Sequence, residues 1–284
     1  VTAARASSGN ALAPGSTGVD RAAITRAQVA LVAVSTALQL AALAFAGNSL
    51  AAGTTARQVF STVEMVLVVA LVLVAVAIVR WAADQPAPAA TVARLTLASV
   101  ILCTLGDFIN RNYPGHSYQW DEVIRHSYLV TSIVAFAPGY ALVVVANRRA
   151  TAAVVPVRTA GMTVVVAAVL GLGGFVTSYD PAVAAAANVA MAVYAMVLGA
   201  LAGSCLWLGR TYGWRSSAVV VAGCLLAVVA DWLIATFWIH GTGYPTVEHA
   251  NWIIYFASLA MIARLPFLVA DGRSPARGTT PRKR

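Results

Sequence analysis

The chain carries only ten acidic side chains, and three of them, Glu64, Asp107 and Asp231, fall inside long apolar runs. An ionised acid at the centre of a bilayer costs about 2.5–3.5 kcal/mol even on lenient insertion scales, so such groups face a partner or a wet cavity. Two carboxyls in one apolar cavity hold their protons unequally, because both cannot readily ionise. One then donates a proton while the other activates water, which suits acid-assisted hydrolysis. A plainer reading has each Asp capping a helix end or pairing with an arginine. Arg111 stands four residues after Asp107, at salt-bridge spacing on a helix.

Glu64 is read as a third member of such a cavity or as a group reaching toward an interface. His126 and His249 open two apolar runs, 19 residues after Asp107 and 18 after Asp231 respectively. A histidine there holds a lipid phosphate, shuttles protons, or is simply an interfacial polar residue. His116 and His240 belong to connections or run ends. No HxxxH, HExxH, CxxC, GxSxG, P-loop or GxGxxG pattern occurs, so neither a metal nor a cofactor is expected. Cys103, Cys205 and Cys224 all lie in apolar runs and read as small core residues. The glycines 171, 173 and 174 read as a close-packing site rather than a phosphate cradle.

The elements that position these groups are membrane spans. Of 284 residues, 60% are hydrophobic and 10% charged, and the mean hydropathy is +0.79. Soluble domains carry about 25% charged residues. Eight runs meet the length of roughly 20 apolar residues that a spanning helix needs: 27–47, 58–80, 92–111, 127–146, 153–176, 182–208, 217–239 and 250–270. The expected class is an all-α polytopic membrane protein. Residues 1–25 are expected to form a disordered cytoplasmic tail without a signal-peptide core. Residues 26–271 form the membrane domain, and 272–284 a basic cytoplasmic tail.

Orientation follows from Lys and Arg in the connections. One side holds Arg5, Arg21, Arg26, Arg80, Arg94, Arg148, Arg149, Arg158, Arg210, Arg215 and the five basic residues of the last tail, Arg273, Arg277, Arg282, Lys283 and Arg284. The other holds Arg57, Arg111 and Arg125. That asymmetry places both termini in the cytoplasm. Arg264, inside the last run, is expected to snorkel toward that side. The net charge of +9 is thus distributed by topology, and no basic patch interleaved with aromatics suggests nucleic acid. Trp207, Trp214, Trp238 and Trp252 fall near run ends, where aromatic belts form. The preference for Arg over Lys, with abundant Ala and Val, fits the coding bias of a GC-rich bacterium and a location in its cell membrane.

The third and seventh runs resemble each other. Ala98, Leu102, Cys103, Gly106, Asp107 and His116 align with Ala222, Leu226, Ala227, Ala230, Asp231 and His240 at one constant offset. An offset of four helices preserves orientation, so the expected relationship is a parallel 4+4 repeat.

Leu105-Gly106-Asp107-Phe108, followed by a His-opened fourth run, resembles the first signature of the YhhN-type membrane proteins. Val229 to Ala235, followed by Phe237, resembles their second signature, with Ala230 where a Ser is usual. Tyr194, after Pro181 and Asn188, and Tyr255, in Ile254-Tyr255-Phe256, resemble the tyrosines of their sixth and last helices. Ala257 and Ser258 stand where a Gln is usual. The resemblance covers roughly residues 30–270. It implies a lysoplasmalogenase, which hydrolyses the vinyl ether of a lysoplasmalogen to a fatty aldehyde and a glycerophospho-headgroup. It makes Asp107 and Asp231 the catalytic pair. Glu64, His126, Tyr194, His249 and Tyr255 are the candidate substrate-binding residues, and a membrane lipid is the expected partner. Three other readings stand beside the hydrolase: a proton- or cation-coupled transporter, an intramembrane aspartyl protease, and a non-catalytic scaffold or sensor.

Overall fold

A computed structural model of the chain describes residues 18–46, 54–111, 128–151, 156–182, 185–239 and 244–273. Among these the fold is helical: α1 (Arg21–Ala46), α2 (Thr55–Ala83), α3 (Ala87–Arg111), α4 (Tyr128–Ala150), α5 (Val157–Ser178), α6 (Ala185–Tyr212), α7 (Trp214–Leu233), a π-helical turn (Ile234–Ile239), α8 (Tyr244–Ile262) and α9 (Leu265–Arg273). Seven stretches are long and apolar enough to cross a membrane: Arg21–Phe45, Thr55–Ala83, Ala87–Asn110, Val157–Ser178, Asn188–Tyr212, Trp214–Phe237 and Thr246–Gly272. The run at 127–146 forms α4, which is not among the seven; its first residues border a segment outside the described ones.

The ends of the elements follow from local chemistry. Asp20 caps α1 by accepting from the Ala22 and Ala23 amides, and Thr54 caps α2 by accepting from Arg57 N. The last apolar run was expected to be continuous. It breaks at Ala263–Arg264 into α8 and α9, because Pro266 has no amide to continue the ladder. The chain restarts with Phe267 and Leu268 donating to the Arg264 carbonyl.

Helices α1, α2, α3, α4, α6, α7 and α8 pack in that order into a ring, closed by α8 against α1. Helix α5 stands outside, on α6, and α9 tucks against α3, α4 and α7. Exposure agrees with these places. The α5 window is 17% buried, whereas the α8–α9 window is 67% buried. Val164, Val165, Val169, Leu172 and Val176 of α5 are exposed, an apolar surface that suits acyl chains rather than water.

Small residues set the closest approaches. A side chain at Gly199 would strike the Ala167 carbonyl, one at Gly203 would meet Thr163, and one at Gly171 would meet Met196. These pairs run in opposite sequence directions, so α5 and α6 are antiparallel with their backbones in contact. Gly171 therefore packs helices, as expected. Gly139 of α4 likewise approaches Cys103 of α3, just after Pro138. Buried Thr96, Thr104 and Thr163 return their hydroxyls to carbonyls one turn back, so they add no unsatisfied group to the core.

Candidate functional site

Asp231 lies at the end of α7, buried, just before the helix widens into its π turn. The Ile234 amide is shared between the Ala230 and Asp231 carbonyls at that point. Single π turns recur at functional sites because they re-aim the side chains around them. Nothing in the residues 234–239, IATFWI, announces one.

Two tyrosines flank the Asp231 carboxyl: Tyr194 from α6 and Tyr140 from α4. Their rings are 6.3 Å apart. No well-formed hydrogen bond joins them: neither hydroxyl nor Asp231 Oδ2 has a hydrogen-bond partner among the described residues. All three groups are buried polar atoms, which is costly unless a ligand or a rearrangement satisfies them. Tyr194 was legible in the sequence through resemblance. Tyr140 was missed; it sits in an apolar helix with no spacing signal.

Asp107 approaches from α3. The Tyr255 hydroxyl of α8 donates to its Oδ2 at 2.8 Å. Trp252 packs beside Tyr255 with ring centroids 5.6 Å apart. Trp252 is buried, so it is a core residue and not the belt residue expected from its position. Gly106 makes room for the Phe136 ring, which a side chain there would overlap. Phe136 also meets the Tyr255 ring edge-on at 6.1 Å.

The two acids belong to one neighbourhood. The buried thiol of Cys103 is within electrostatic reach of both Asp107 and Asp231, and so is the Tyr194 hydroxyl. They do not line one cavity, however. A cavity of about 480 Å³ lies between α4, α5, α6 and α7, bounded by Asp231, Tyr194, Phe136, Asn110 and Ser132 among a mainly apolar lining. Asp107 and Tyr255 are not part of that lining. Phe136 is a wall common to the cavity and the Asp107–Tyr255 pair. Gly173 and Gly174 floor the cavity on α5; a side chain at Gly173 would meet nothing, so it leaves space, whereas Gly174 faces Ala195 of α6.

The cavity reaches the outer surface of the bundle. Its lining includes Val169, Leu170, Val229 and Trp232, all of them exposed. The Trp232 indole donates to Thr177 Oγ1 at 3.3 Å, tying the end of α7 to α5 at this mouth.

Glu64 and His249 are brought together, away from this cavity. Gln39 of α1 donates to Glu64 Oε1 at 2.8 Å, and its Oε1 lies 2.7 Å from His249 Nδ1. Phe60 packs edge-on against His249 at 5.8 Å. Glu64, Gln39 and His249 are all buried, so His249 faces the interior of the bundle rather than its outer surface. Beside them Arg57 and Glu248 pair at 2.6 Å, both largely withdrawn from the surface. Gln39 and Glu248 were not anticipated, since an amide in an apolar run carries no charge signal and Glu248 was read as outside the span. His116, His126 and His240 lie outside the described residues, as does the side chain of Arg111.

Among the described residues no group of three His, Cys, Asp or Glu side chains is placed to hold a metal ion. The three cysteines are buried and free. No protein-family model, no curated protein and no solved structure matches the chain.

Proposed function

We propose that the protein is a membrane-embedded hydrolase of a single-chain vinyl-ether phospholipid, with Asp231 as the proton donor and Asp107 as the second carboxyl. One observation carries this reading: a buried carboxyl with an adjacent tyrosine forms the polar spot in an apolar cavity whose mouth is made of exposed apolar side chains. A long-chain substrate enters such a site sideways from the bilayer, and its reactive bond meets the one acid on the wall.

The chemistry is balanced by one water. Asp231 protonates the β-carbon of the vinyl ether, giving an oxocarbenium ion. Water adds to its α-carbon, and loss of one proton gives a hemiacetal. The hemiacetal collapses to a fatty aldehyde and a free glycerol hydroxyl. Tyr194 and Tyr140 bond the Asp231 carboxylate left by proton transfer, which lowers the barrier where charge develops. Asp107, held by Tyr255, takes the proton of the attacking water once Phe136 swings from the shared wall, and returns it to Asp231 through the Tyr194 hydroxyl.

We read the helices further as a parallel repeat of four within eight spans, with both termini inside as the arginine distribution suggests. Helix pairs α1–α2, α2–α3 and α3–α4 correspond to α5–α6, α6–α7 and α7–α8. The Asp of α3 meets a Tyr of α8, and the Asp of α7 meets a Tyr of α4. The Asp–Tyr pairing exchanges between the two halves, with the tyrosines about two turns apart in register, while α5 stands outside the ring that holds its counterpart α1.

The decisive assay is aldehyde release by purified protein in detergent from a lyso-vinyl-ether phospholipid, for wild type, Asp107→Asn and Asp231→Asn. Release by wild type and its loss in both variants, with melting unchanged, supports the pair. No release across several headgroups removes the reading.

A proton-coupled carrier is the second reading, favoured by the buried Glu64–Gln39–His249 chain across α1, α2 and α8. It requires substrate-driven proton uptake in sealed vesicles that Glu64→Gln abolishes.

A further inference from the structure

A second cavity of about 480 Å³ lies at the other end of α7, lined by Arg21, Thr211, Ser216, Arg264, Phe267 and Asp271 among others. Fifteen residues of α7 separate Ser216 from Asp231, or about 22 Å at 1.5 Å per residue. This is a different site from the one above, at the end that the arginine count assigns to the cytoplasm.

Its charges are arranged unequally. Arg21 is committed: both its terminal nitrogens bond the Asp271 carboxylate, at 2.6 and 2.7 Å, and its guanidinium lies over the Phe267 ring at 4.8 Å. Arg264 is not committed. It stands half-buried at the break between α8 and α9, and among the described residues no carboxylate lies within ion-pair distance of it. The helix break therefore turns an arginine, expected merely to snorkel, into a cavity wall.

The rest of the wall supplies hydrogen-bond donors. Thr211 and Ser216, each with a hydroxyl, are among the lining residues. Ser216 belongs to the first turn of α7, whose cap is Gly213 at φ 80°, with no side chain to bond the opening amides. An arginine fork, hydroxyls and uncapped helix amides form the donor set that recognises phosphate oxygens. Phe267, Leu268 and Val219 make the remaining wall apolar, and Val219 is exposed to the side.

We propose that this cavity binds a phosphate-bearing anion through Arg264, with Ser216 and Thr211 as its hydroxyl donors. The anion is either the headgroup of an acidic phospholipid of the adjoining leaflet or a soluble phosphate. The site does not depend on the hydrolase reading.

The test is thermal melting of the purified full chain in neutral detergent, at matched ionic strength. The probes are dioctanoyl phosphatidic acid, inorganic phosphate and, as a control, dioctanoyl phosphatidylcholine. Phosphatidic acid or inorganic phosphate raises the wild-type midpoint, and phosphatidylcholine, whose phosphodiester is neutralised by its own ammonium, does not. Arg264→Gln weakens the apparent affinity at least about tenfold, the scale of one lost charged bidentate contact, and Arg264→Lys keeps part of it. Response to phosphatidic acid alone assigns a lipid headgroup; response to both probes assigns the phosphate group itself. If Arg264→Gln does not fold, the Thr211→Val/Ser216→Ala double variant retains the arginine and must still bind several-fold more weakly. No shift with phosphatidic acid or with inorganic phosphate, or variants that respond as wild type does, overturns the proposal.

Discussion

Tyr255 and Asp107 join opposite sides of the helix ring: the tyrosine hydroxyl of α8 donates at 2.8 Å to the carboxyl of α3. Both are buried, so the bond is not exchanged for one with water at the surface. Tyr255→Phe keeps the ring contacts with Phe136 and Trp252 and removes only the donor. The expected loss is about 1–3 kcal/mol of stability, the usual cost of depriving a buried acceptor of its partner. Aldehyde release falls more than tenfold in the same variant if Asp107 takes part in the chemistry. A variant that melts like wild type and keeps full release would show that the bond does neither.

The Gln39 amide connects Glu64 to His249, one through its nitrogen and one through its oxygen. Gln39→Leu removes both bonds while preserving volume approximately. We expect destabilisation of about 1–3 kcal/mol for each of the two groups deprived of a partner. Phe60→Leu, which alters only the ring against His249, costs about 1 kcal/mol. Denaturant unfolding in detergent ranks the two. The chain of bonds has no structural weight if the ranking is reversed.

Two glycines on facing helices separate cavity from packing. At Gly173 a side chain meets open space, whereas at Gly199 it meets the Ala167 carbonyl. Gly173→Leu is therefore expected to melt within a few degrees of wild type yet to fill the cavity that Asp231 lines. Under the hydrolase reading its release of aldehyde from a long-chain substrate drops sharply, through KM first. Gly199→Leu forces α5 and α6 apart and lowers the yield of folded protein, because backbone cannot yield as a flexible side chain does. Equal behaviour of the two variants would contradict the assignment of the cavity.

Spans were legible because a bilayer imposes a length and a composition, and both are written in consecutive residues. Asp107 and Asp231 were legible because an acid in an apolar run is costly and rare. Tyr140 and Gln39 were not, because a neutral polar residue in such a run is common and its partner lies on another helix. The grouping also escaped the sequence. Position along a helix suggested the depth of Glu64 and His249 but not the side of the ring they face, so nothing in the sequence foretold that the two join through Gln39. The π turn and the break at Arg264 depend on how helices meet, which no local pattern records.

Helix α4 decides the topology of everything after it. Gly139 meets Cys103 and Phe136 meets Gly106, so α4 runs antiparallel to α3 in direct contact. Its last residues include Arg148 and Arg149, and Asn147 there donates to Ser204 of α6 at 2.8 Å. A helix that retraces a spanning neighbour in this way is expected to cross the membrane too, even with Pro138 inside it. Alkaline phosphatase fused after Tyr113 should then be active, and green fluorescent protein fused after Thr151 should fluoresce. Fusions after Tyr212 and Arg284 should report the same side as Thr151, and one after Pro181 the side of Tyr113. If α4 does not cross, the fusions at 113 and 151 report one side. All later fusions then invert, and the fifteen basic residues expected on one side no longer share a compartment.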